Sequence, residues 1–187
     1  QTLFHHYVNA LESGKKGVTL GDKAVKGLAL FIDDQKACLF CHSGPLLSNG
    51  DFQNTGTGIR NVDTGRSEVV EELRWNRFNC LGQYSDSHGE ACDKLRYMNR
   101  NRHDQFSSFK VPGLRNVAHT APYMHDGRYH TLADAVQHYA LASTTGQDTH
   151  LPEITLTDEE VNSIVAFLKT LSEPVTGLVS GKLPGKH

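Results

Sequence analysis

The stretch CLFCHSGP, residues 38–45, decides how the rest of this 187-residue chain is interpreted. Cys38 and Cys41 stand three positions apart, and His42 follows the second cysteine directly. Thiols and an imidazole at this spacing serve three kinds of site: a zinc site, a redox-active dithiol and a covalently attached haem. The remaining sequence discriminates between these three.

The histidine next to the second cysteine favours the haem. A redox dithiol of the thioredoxin kind accompanies a βαβ pattern, which this sequence lacks. Zinc needs a second pair of ligands at a fitting distance, and Cys80 and Cys92 are too far apart to form a knuckle. In C-x-x-C-H both thiols form thioethers to the haem vinyl groups, while the imidazole reaches the iron. We therefore predict one covalent haem c, attached through Cys38 and Cys41, with His42 as the proximal iron ligand.

Composition limits the class of protein. The 19 basic and 21 acidic side chains nearly balance, so there is no positive excess for binding nucleic acid. No apolar run approaches the roughly 18 residues that a membrane span requires. The N-terminus lacks the layout of a signal peptide and opens on a helical pattern. We interpret the chain as one domain, and as a mature product or a fragment.

The second pair of cysteines has two interpretations. If a prosthetic group occupies Cys38 and Cys41, then Cys80 and Cys92 are left with each other, in a polar stretch with little periodicity. A disulfide there would stabilise the fold by about 3 kcal/mol and would imply an oxidising compartment. The alternative is two unpaired thiols in a cytosolic protein. We expect the disulfide.

Four segments have the periodicity of helices. Residues 1–14 form the first. Residues 20–33 form the second, with Asp22 as the N-cap and an apolar face of Val25, Leu28, Ala29 and Ile32. This second helix leads directly into the cysteine motif.

The third and fourth helices have stronger start signals. In residues 131–141, Thr131 is placed as the N-cap, and the apolar members are Leu132, Ala135, Val136, Tyr139 and Ala140. In residues 156–174, Thr157 and Glu160 form a capping box, and Pro174 ends the helix. The apolar stripe of this last helix is Val161, Ile164, Val165, Leu168 and Leu171.

The middle of the chain, residues 43–127, is rich in Gly, Asn, Asp and Arg and shows no alternating strand pattern of useful length. Helices at both ends with long loops between them predict an all-α domain wrapped around a bound group. We place this domain at residues 1–175 and interpret residues 176–187 as a surface tail. Trp75 is interpreted as ordinary packing, because burial is the default use of an aromatic ring.

Three stretches carry a resemblance to a known family. They are GLALF with ACLFCHSGPLLSNGDFQNTG (27–31 and 37–56), FKVPGLRNVAHTAPYMHDGRYHTLADAVQHY (109–139) and LTDEEVNSIVAFLKTL (156–171). Together they resemble the C-terminal haem domain of bacterial di-haem cytochrome c peroxidases and MauG-like proteins, over about residues 4–171. The resemblance implies an all-α, cytochrome c-type fold. Family members carry two C-x-x-C-H motifs, whereas this sequence has one.

The resemblance implies a haem c electron-transfer domain of a peroxidase or MauG-like oxidase. Peroxide would then react at a second haem, on a domain or subunit outside this chain. The expected partners are that second haem domain and a redox protein that donates electrons or serves as substrate. Attachment of haem c to a translocated chain implies the periplasm. The alternative is a stand-alone mono-haem electron carrier without catalysis.

The distal iron ligand implied by the resemblance is Tyr139. The peroxidases have methionine at the matching position, and MauG-like proteins have tyrosine. Tyr139 shares the apolar face of its helix, whereas His138, about 100° around, is expected on the solvent side. Met124 is the alternative ligand, and a core tyrosine bonded elsewhere is the alternative role for Tyr139. A thioether would raise the reduction potential, whereas a phenolate would favour ferric iron.

Further roles are predicted for four residues. In the family a calcium ion is held partly by backbone carbonyls of a motif that matches Thr120 and Pro122 here. Arg115 and Arg128 are candidates to pair with haem propionates, because a guanidinium fork suits a carboxylate. Exposure on the surface is the alternative for both arginines, and the role of His125 stays open.

Overall fold

The computed structural model describes residues 1–58, 63–86, 92, 95, 97–98, 102–144 and 149–174. The helices are α1 Leu3–Glu12, α2 Asp22–Ile32, α3 Cys38–Cys41, α4 Arg66–Trp75, α5 Arg102–Gln105, α6 Leu132–Thr144 and α7 Asp158–Thr170. A 3₁₀ turn spans Val117–His119, and the two short strands are β1 Phe52–Gln53 and β2 Phe109–Lys110. The predicted helical class is confirmed. The predicted tail lies outside the described residues.

The two C-terminal helices begin at the predicted residues. The Thr157 hydroxyl accepts from the Glu160 N–H at 3.2 Å, and a Glu160 carboxylate oxygen accepts from the Thr157 N–H at 2.8 Å, which completes the capping box of α7. Thr131 caps α6 by accepting from the Asp134 N–H at 3.1 Å. Helix α7 ends at Thr170, before the predicted stop at Pro174. Local side-chain chemistry therefore sets where these helices start.

Helix α2 buries a different face from the predicted one. Val25 and Ile32 are 42% and 52% exposed, so their prediction as core residues was wrong. The buried positions are Ala24, Gly27 and Phe31, and the cap is Gly21 rather than Asp22. The reason is the close approach of α7: a Cβ at Gly27 would collide with the Ser163 backbone carbonyl. Small residues, rather than the most apolar ones, decide this contact.

The core lies between α2, α6 and α7 and extends to the cysteine motif. Its buried members are Phe31, Leu114, Val117, Leu132, Val136, Val161, Ile164, Phe167, Leu168 and Leu171. The Phe31 ring lies 5.1 Å from the Phe167 ring and 6.4 Å from the His42 ring, measured between centroids. The motif is thus built directly onto the apolar core.

The middle of the chain contains more structure than predicted. Strands β1 and β2 pair antiparallel, with Phe52 opposite Lys110. Helix α4 forms in a stretch expected to be loop. At its end Trp75 is 77% exposed, so the prediction that it packs in the interior was wrong. Helix α4 has a mainly polar sequence, RSEVVEELRW.

The predicted disulfide is present in the structure. It joins Cys80 and Cys92, whose Cα atoms are 5.6 Å apart. Among the described residues, no helix is both long and apolar enough to cross a lipid bilayer.

Lys36 ties the segment before the cysteine motif to the start of α7. Its Nζ donates to the Thr155 carbonyl at 2.7 Å and lies 3.3 Å from a Glu160 carboxylate oxygen. The Glu160 carboxylate therefore serves both the capping box and this ion pair. Hydrogen bonding from the Thr157 N–H, followed by Lys36, lowers the pKa of Glu160.

We expect Glu160→Gln to lower the free energy of unfolding by about 1 kcal/mol at pH 7. Because the pKa is lower in the folded state, the carboxylate stabilises the fold above the unfolded value of about 4.3, and this contribution is lost as the pH falls through the folded pKa. Thermal unfolding at pH 7 and at about pH 3 measures the effect. The difference in free energy of unfolding between the variant and the wild type disappears at the lower pH.

The exposed Glu153 lies outside the cap and provides the matched control. Glu153→Gln leaves unfolding at pH 7 nearly unchanged. A Glu160→Gln gap of the same size at both pH values would contradict the assignment of a stabilising carboxylate.

Candidate haem site

A cavity of about 410 Å³ opens beside the cysteine motif, between the core helices and the chain around β2. Most of its wall is apolar, including Phe31, Leu114, Val117, Leu132, Val136, Ile164 and Leu168. Its volume falls within the range of roughly 300–1,000 Å³ typical of cofactor sites. The cavity therefore has the size and the polarity to take a large, flat, mainly apolar group.

Both cysteines of the motif lie on this wall. They begin and end α3, whose single turn is entered through Ala37 at a left-handed φ of 54°. The His42 N–H donates to the Cys38 carbonyl at 3.0 Å and closes the turn. Burial raises the pKa of the Cys38 thiol to about 11 and also raises that of Cys41. A redox dithiol needs a lowered thiol pKa, so these values argue against that interpretation.

Backbone carbonyls hold the His42 ring. Its Nδ1 lies 3.0 Å from the Leu47 carbonyl oxygen, which can only accept, so Nδ1 carries the proton. The loop reaches this position by turning through Leu47, whose φ is 53°. Burial lowers the pKa of His42, and the neutral ring is the form that binds metal. A hydrogen bond of this kind orients a metal-binding imidazole. The role of His42 as an iron ligand stays a prediction.

Tyr139 lines the same cavity from α6. Burial, together with a smaller effect of the neighbouring thiols of Cys41 and Cys38, raises the pKa of its phenol to about 12. Met124, the alternative ligand, also lines the cavity and has a left-handed φ of 69°. The structure thus brings both candidate distal ligands to the chamber that contains the cysteine motif.

Comparison with known proteins finds relatives that match this chain over part of their own length. No protein-family model matches the chain. Cytochrome-c peroxidase IdrP1 of Denitromonas iodatirespirans is 33% identical over 179 residues, which cover 89% of this chain and 46% of that protein. Cytochrome c peroxidase Ccp of Escherichia coli is 34% identical, covering 84% of this chain and 27% of that protein. Methylamine utilization protein MauG of Methylorubrum extorquens is 26% identical, covering 88% and 39%.

The chain is homologous to part of the bacterial cytochrome c peroxidases and MauG. It spans about half, or less, of the length of these relatives. Two solved structures have the same fold. A MauG-like protein associated with microbial copper homeostasis matches with a TM-score of 0.59 at 23% identity, over 93% of this chain and 52% of that one. The diheme peroxidase BthA of Burkholderia thailandensis matches with a TM-score of 0.57 at 21% identity, over 92% and 46%.

The cavity fits a haem c, the cofactor that the C-x-x-C-H motif predicts. The wall carries the two thiols of one helical turn, the imidazoles of His42 and His125, the phenols of Tyr123 and Tyr139, and the thioether of Met124. Thiols attach the macrocycle, and an imidazole or a phenol ligates iron. The assignment of individual residues to these roles stays a prediction.

Arg115 and Arg128, the two arginines predicted to contact haem propionates, do not line the cavity. Arg115 donates through Nε to the Pro45 carbonyl at 2.7 Å. Arg128 forms a fork with the Asp126 carboxylate and also donates to the Thr57 carbonyl. Hydrogen bonding from Arg128 lowers the pKa of Asp126. The predicted contacts of these arginines with propionates stay predictions.

The remaining predicted positions lie on the cavity wall. Thr120 and Pro122 both line it, next to a cis Ala121–Pro122 peptide bond. Among the described residues, no cluster of three or more His, Cys, Asp or Glu side chains could hold a metal ion. Calcium at Thr120 and Pro122 therefore stays a prediction based on backbone carbonyls. His125 also lines the cavity, stacked on the Phe109 ring at 3.5 Å between centroids, with Nε2 3.2 Å from an Asp63 carboxylate oxygen.

The prediction that His138 lies on the solvent side of α6 was wrong. It is 7% exposed rather than on the solvent side, because α6 is covered on a second face by the chain that follows β1. The sequence does contain a signal for this burial. Ala135 and Ala142, three residues before and four after His138, are small and buried, and they place His138 on a covered stripe of α6.

Proposed function

We propose that this chain is the C-terminal haem c electron-transfer domain of a di-haem cytochrome c peroxidase or MauG-like oxidase. The observation that carries the proposal is the convergence of Cys38, Cys41, His42 and Tyr139 on one apolar cavity. In this proposal a single haem c is attached to the two cysteines. Haem c supplies reversible one-electron chemistry when bound.

Each residue has a distinct role in the proposal. Cys38 and Cys41 attach the macrocycle, and α3 presents both sulfurs from one turn. His42 ligates the iron through Nε2, with the Leu47 carbonyl fixing the orientation of its ring. Tyr139 is the distal ligand, from α6. An apolar wall excludes water and strengthens the electrostatic effect of a negatively charged phenolate.

The proposed ligands His42 and Tyr139 imply that peroxide reacts at a second haem. An iron with both axial positions filled has no open position for peroxide. Peroxide would therefore react at a haem on a further domain or subunit, in line with the diheme relatives. Calcium held through Thr120 and Pro122 would lie at the contact with that domain. A redox protein would supply the electrons or serve as the substrate.

The periplasm is the proposed location. The disulfide between Cys80 and Cys92 requires an oxidising environment. The thioether attachment of haem c to a translocated chain implies the same compartment.

A second candidate is a stand-alone mono-haem electron carrier. One C-x-x-C-H motif is sufficient for a carrier with a single haem. Native mass spectrometry with peroxide assays separates the two. A carrier contains one haem, is reduced reversibly and never turns over peroxide. A peroxidase domain turns over peroxide only when its second haem domain is supplied.

We expect Tyr139→Met to raise the reduction potential by hundreds of millivolts, because a neutral thioether replaces an anionic phenolate that favours ferric iron. Axial ligands as a whole move haem potentials over about 0.8 V. Potentiometric titration measures the shift. Tyr139→Phe removes the ligand atom and changes the ferric absorption spectrum.

Met124→Leu is the matched control, since Met124 lines the same cavity. It leaves both the spectrum and the potential unchanged. The reverse pattern, in which Met124→Leu changes the spectrum and Tyr139→Phe does not, would make Met124 the ligand.

A further inference from the structure

His138 is anchored at both ring nitrogens, beside the proposed iron ligand. Its Nε2 lies 2.7 Å from the Thr55 carbonyl oxygen, which only accepts, so Nε2 carries the proton. In the neutral ring Nδ1 is then an acceptor, and the Tyr129 hydroxyl donates to it at 3.0 Å. Both bonds are partly buried, where a hydrogen bond is stronger than in water.

The two partners of His138 belong to two other parts of the cavity wall. Thr55 follows β1 and lines the cavity. The Tyr129 carbonyl accepts from the Tyr123 N–H at 2.7 Å, and the turn between these tyrosines begins with Met124, which also lines the cavity. His138 therefore connects α6, the segment after β1 and the turn that carries the alternative ligand.

We propose that His138 is a positioning residue that holds Tyr139 at the iron-binding position, an inference that rests on the proposed function. The rings of His138 and Tyr139 meet edge to face, with centroids 5.8 Å apart at 75°. An imidazole fixed at both nitrogens limits how far α6 and the phenol can move. The stability of the bond between Tyr139 and the iron then depends on the two hydrogen bonds of His138.

The test is a spectroscopic titration of the ferric, haem-loaded protein with imidazole, which competes with Tyr139 for the iron. Imidazole binds only molecules in which Tyr139 has moved away, so its apparent affinity reports their fraction. Tyr129→Phe removes one hydrogen bond and tightens apparent imidazole binding roughly five-fold. His138→Phe keeps a ring, loses both bonds and tightens it roughly 30-fold.

Ser143→Ala is the matched control. The Ser143 hydroxyl accepts from the Ile154 N–H at 3.0 Å and so anchors the far end of α6, and Ser143 itself is not among the cavity-lining residues. This variant loses thermal stability but binds imidazole as the wild type does. If His138 had a purely structural role, Tyr129→Phe and His138→Phe would behave like Ser143→Ala. They would lose thermal stability and bind imidazole with wild-type affinity.

Two outcomes overturn the inference and are distinguishable. If Tyr129→Phe and His138→Phe bind imidazole with wild-type affinity, while Tyr139→Phe alters the ferric spectrum, then His138 does not position the ligand and the proposed function stands. If Tyr139→Phe leaves the ferric spectrum unchanged, the proposed ligand set fails, and the positioning role of His138 fails with it.

Discussion

Replacing Cys38 and Cys41 together with alanine removes all covalently bound haem from the purified protein. Both sulfurs lie on the cavity wall at the two ends of α3, and each forms one thioether in the proposed attachment. Without them a haem is held only by ligation and apolar contact, and it is extracted under denaturing conditions. The mass of the denatured chain and the absorbance of its haem measure the result.

The double variant Cys80→Ala, Cys92→Ala is the matched control. It also removes two cysteines, but from the disulfide rather than from the cavity. It keeps the covalent haem and loses about 3 kcal/mol of stability. Covalent haem that persists in the Cys38→Ala, Cys41→Ala variant would refute the attachment site.

Gly27→Ala lowers the free energy of unfolding by about 3 kcal/mol, the upper end of the range for overpacking. The added Cβ would collide with the carbonyl group of Ser163, which is backbone and cannot rotate away. Helices α2 and α7 would have to separate. This cost exceeds the gain of about 1 kcal/mol that alanine brings to a helix interior. Thermal unfolding shows a midpoint lower by roughly 6–12 °C.

Gly21→Ala is the control for Gly27→Ala. Gly21 caps the same helix at a φ of −61°, and a Cβ there meets no atom within 4 Å. The Gly21→Ala substitution shifts the midpoint of thermal unfolding by no more than a few degrees. Equal shifts for both glycine variants would mean that α2 and α7 do not approach as closely at Gly27 as the structure has them.

The contact between α2 and α7 at Gly27 also affects the position of the C-x-x-C-H motif. Gly27 and Phe31 lie on one face of α2, and the Phe31 ring lies 6.4 Å from the His42 ring. Movement of α2 away from α7 therefore disturbs the cavity wall beside the His42 imidazole. We expect the haem absorption of Gly27→Ala to change along with its stability, because the core and the site share these side chains.

Sequence patterns were reliable where the deciding chemistry is local. The capping box of Thr157 and Glu160 and the cap at Thr131 act within three residues, and each sets the start of its helix. The C-x-x-C-H motif is also local, because one helical turn is enough to present both sulfurs and the following histidine. The disulfide followed from assigning the other two cysteines to the haem.

Sequence patterns failed where a distant segment covers the side chain. Apolar periodicity selected Val25 and Ile32 as the buried face of α2, but α7 packs on the opposite side, where Gly27 gives room. Trp75 was assigned to the interior, yet it is exposed at the end of α4. His138 was assigned to solvent, yet the chain after β1 reaches α6 and bonds its ring.

The sequence by itself determined the helical class, the starts of α6 and α7 and the C-x-x-C-H motif, because spacing within one or two turns carries this information. The family resemblance rested on longer stretches of matching sequence. Only the tertiary structure decided which face of α2 is buried, that Tyr139 and Met124 reach one cavity, and that His138 joins three parts of its wall. The physical reason is that burial depends on which distant backbone approaches a side chain. That approach is set by the packing of the whole domain.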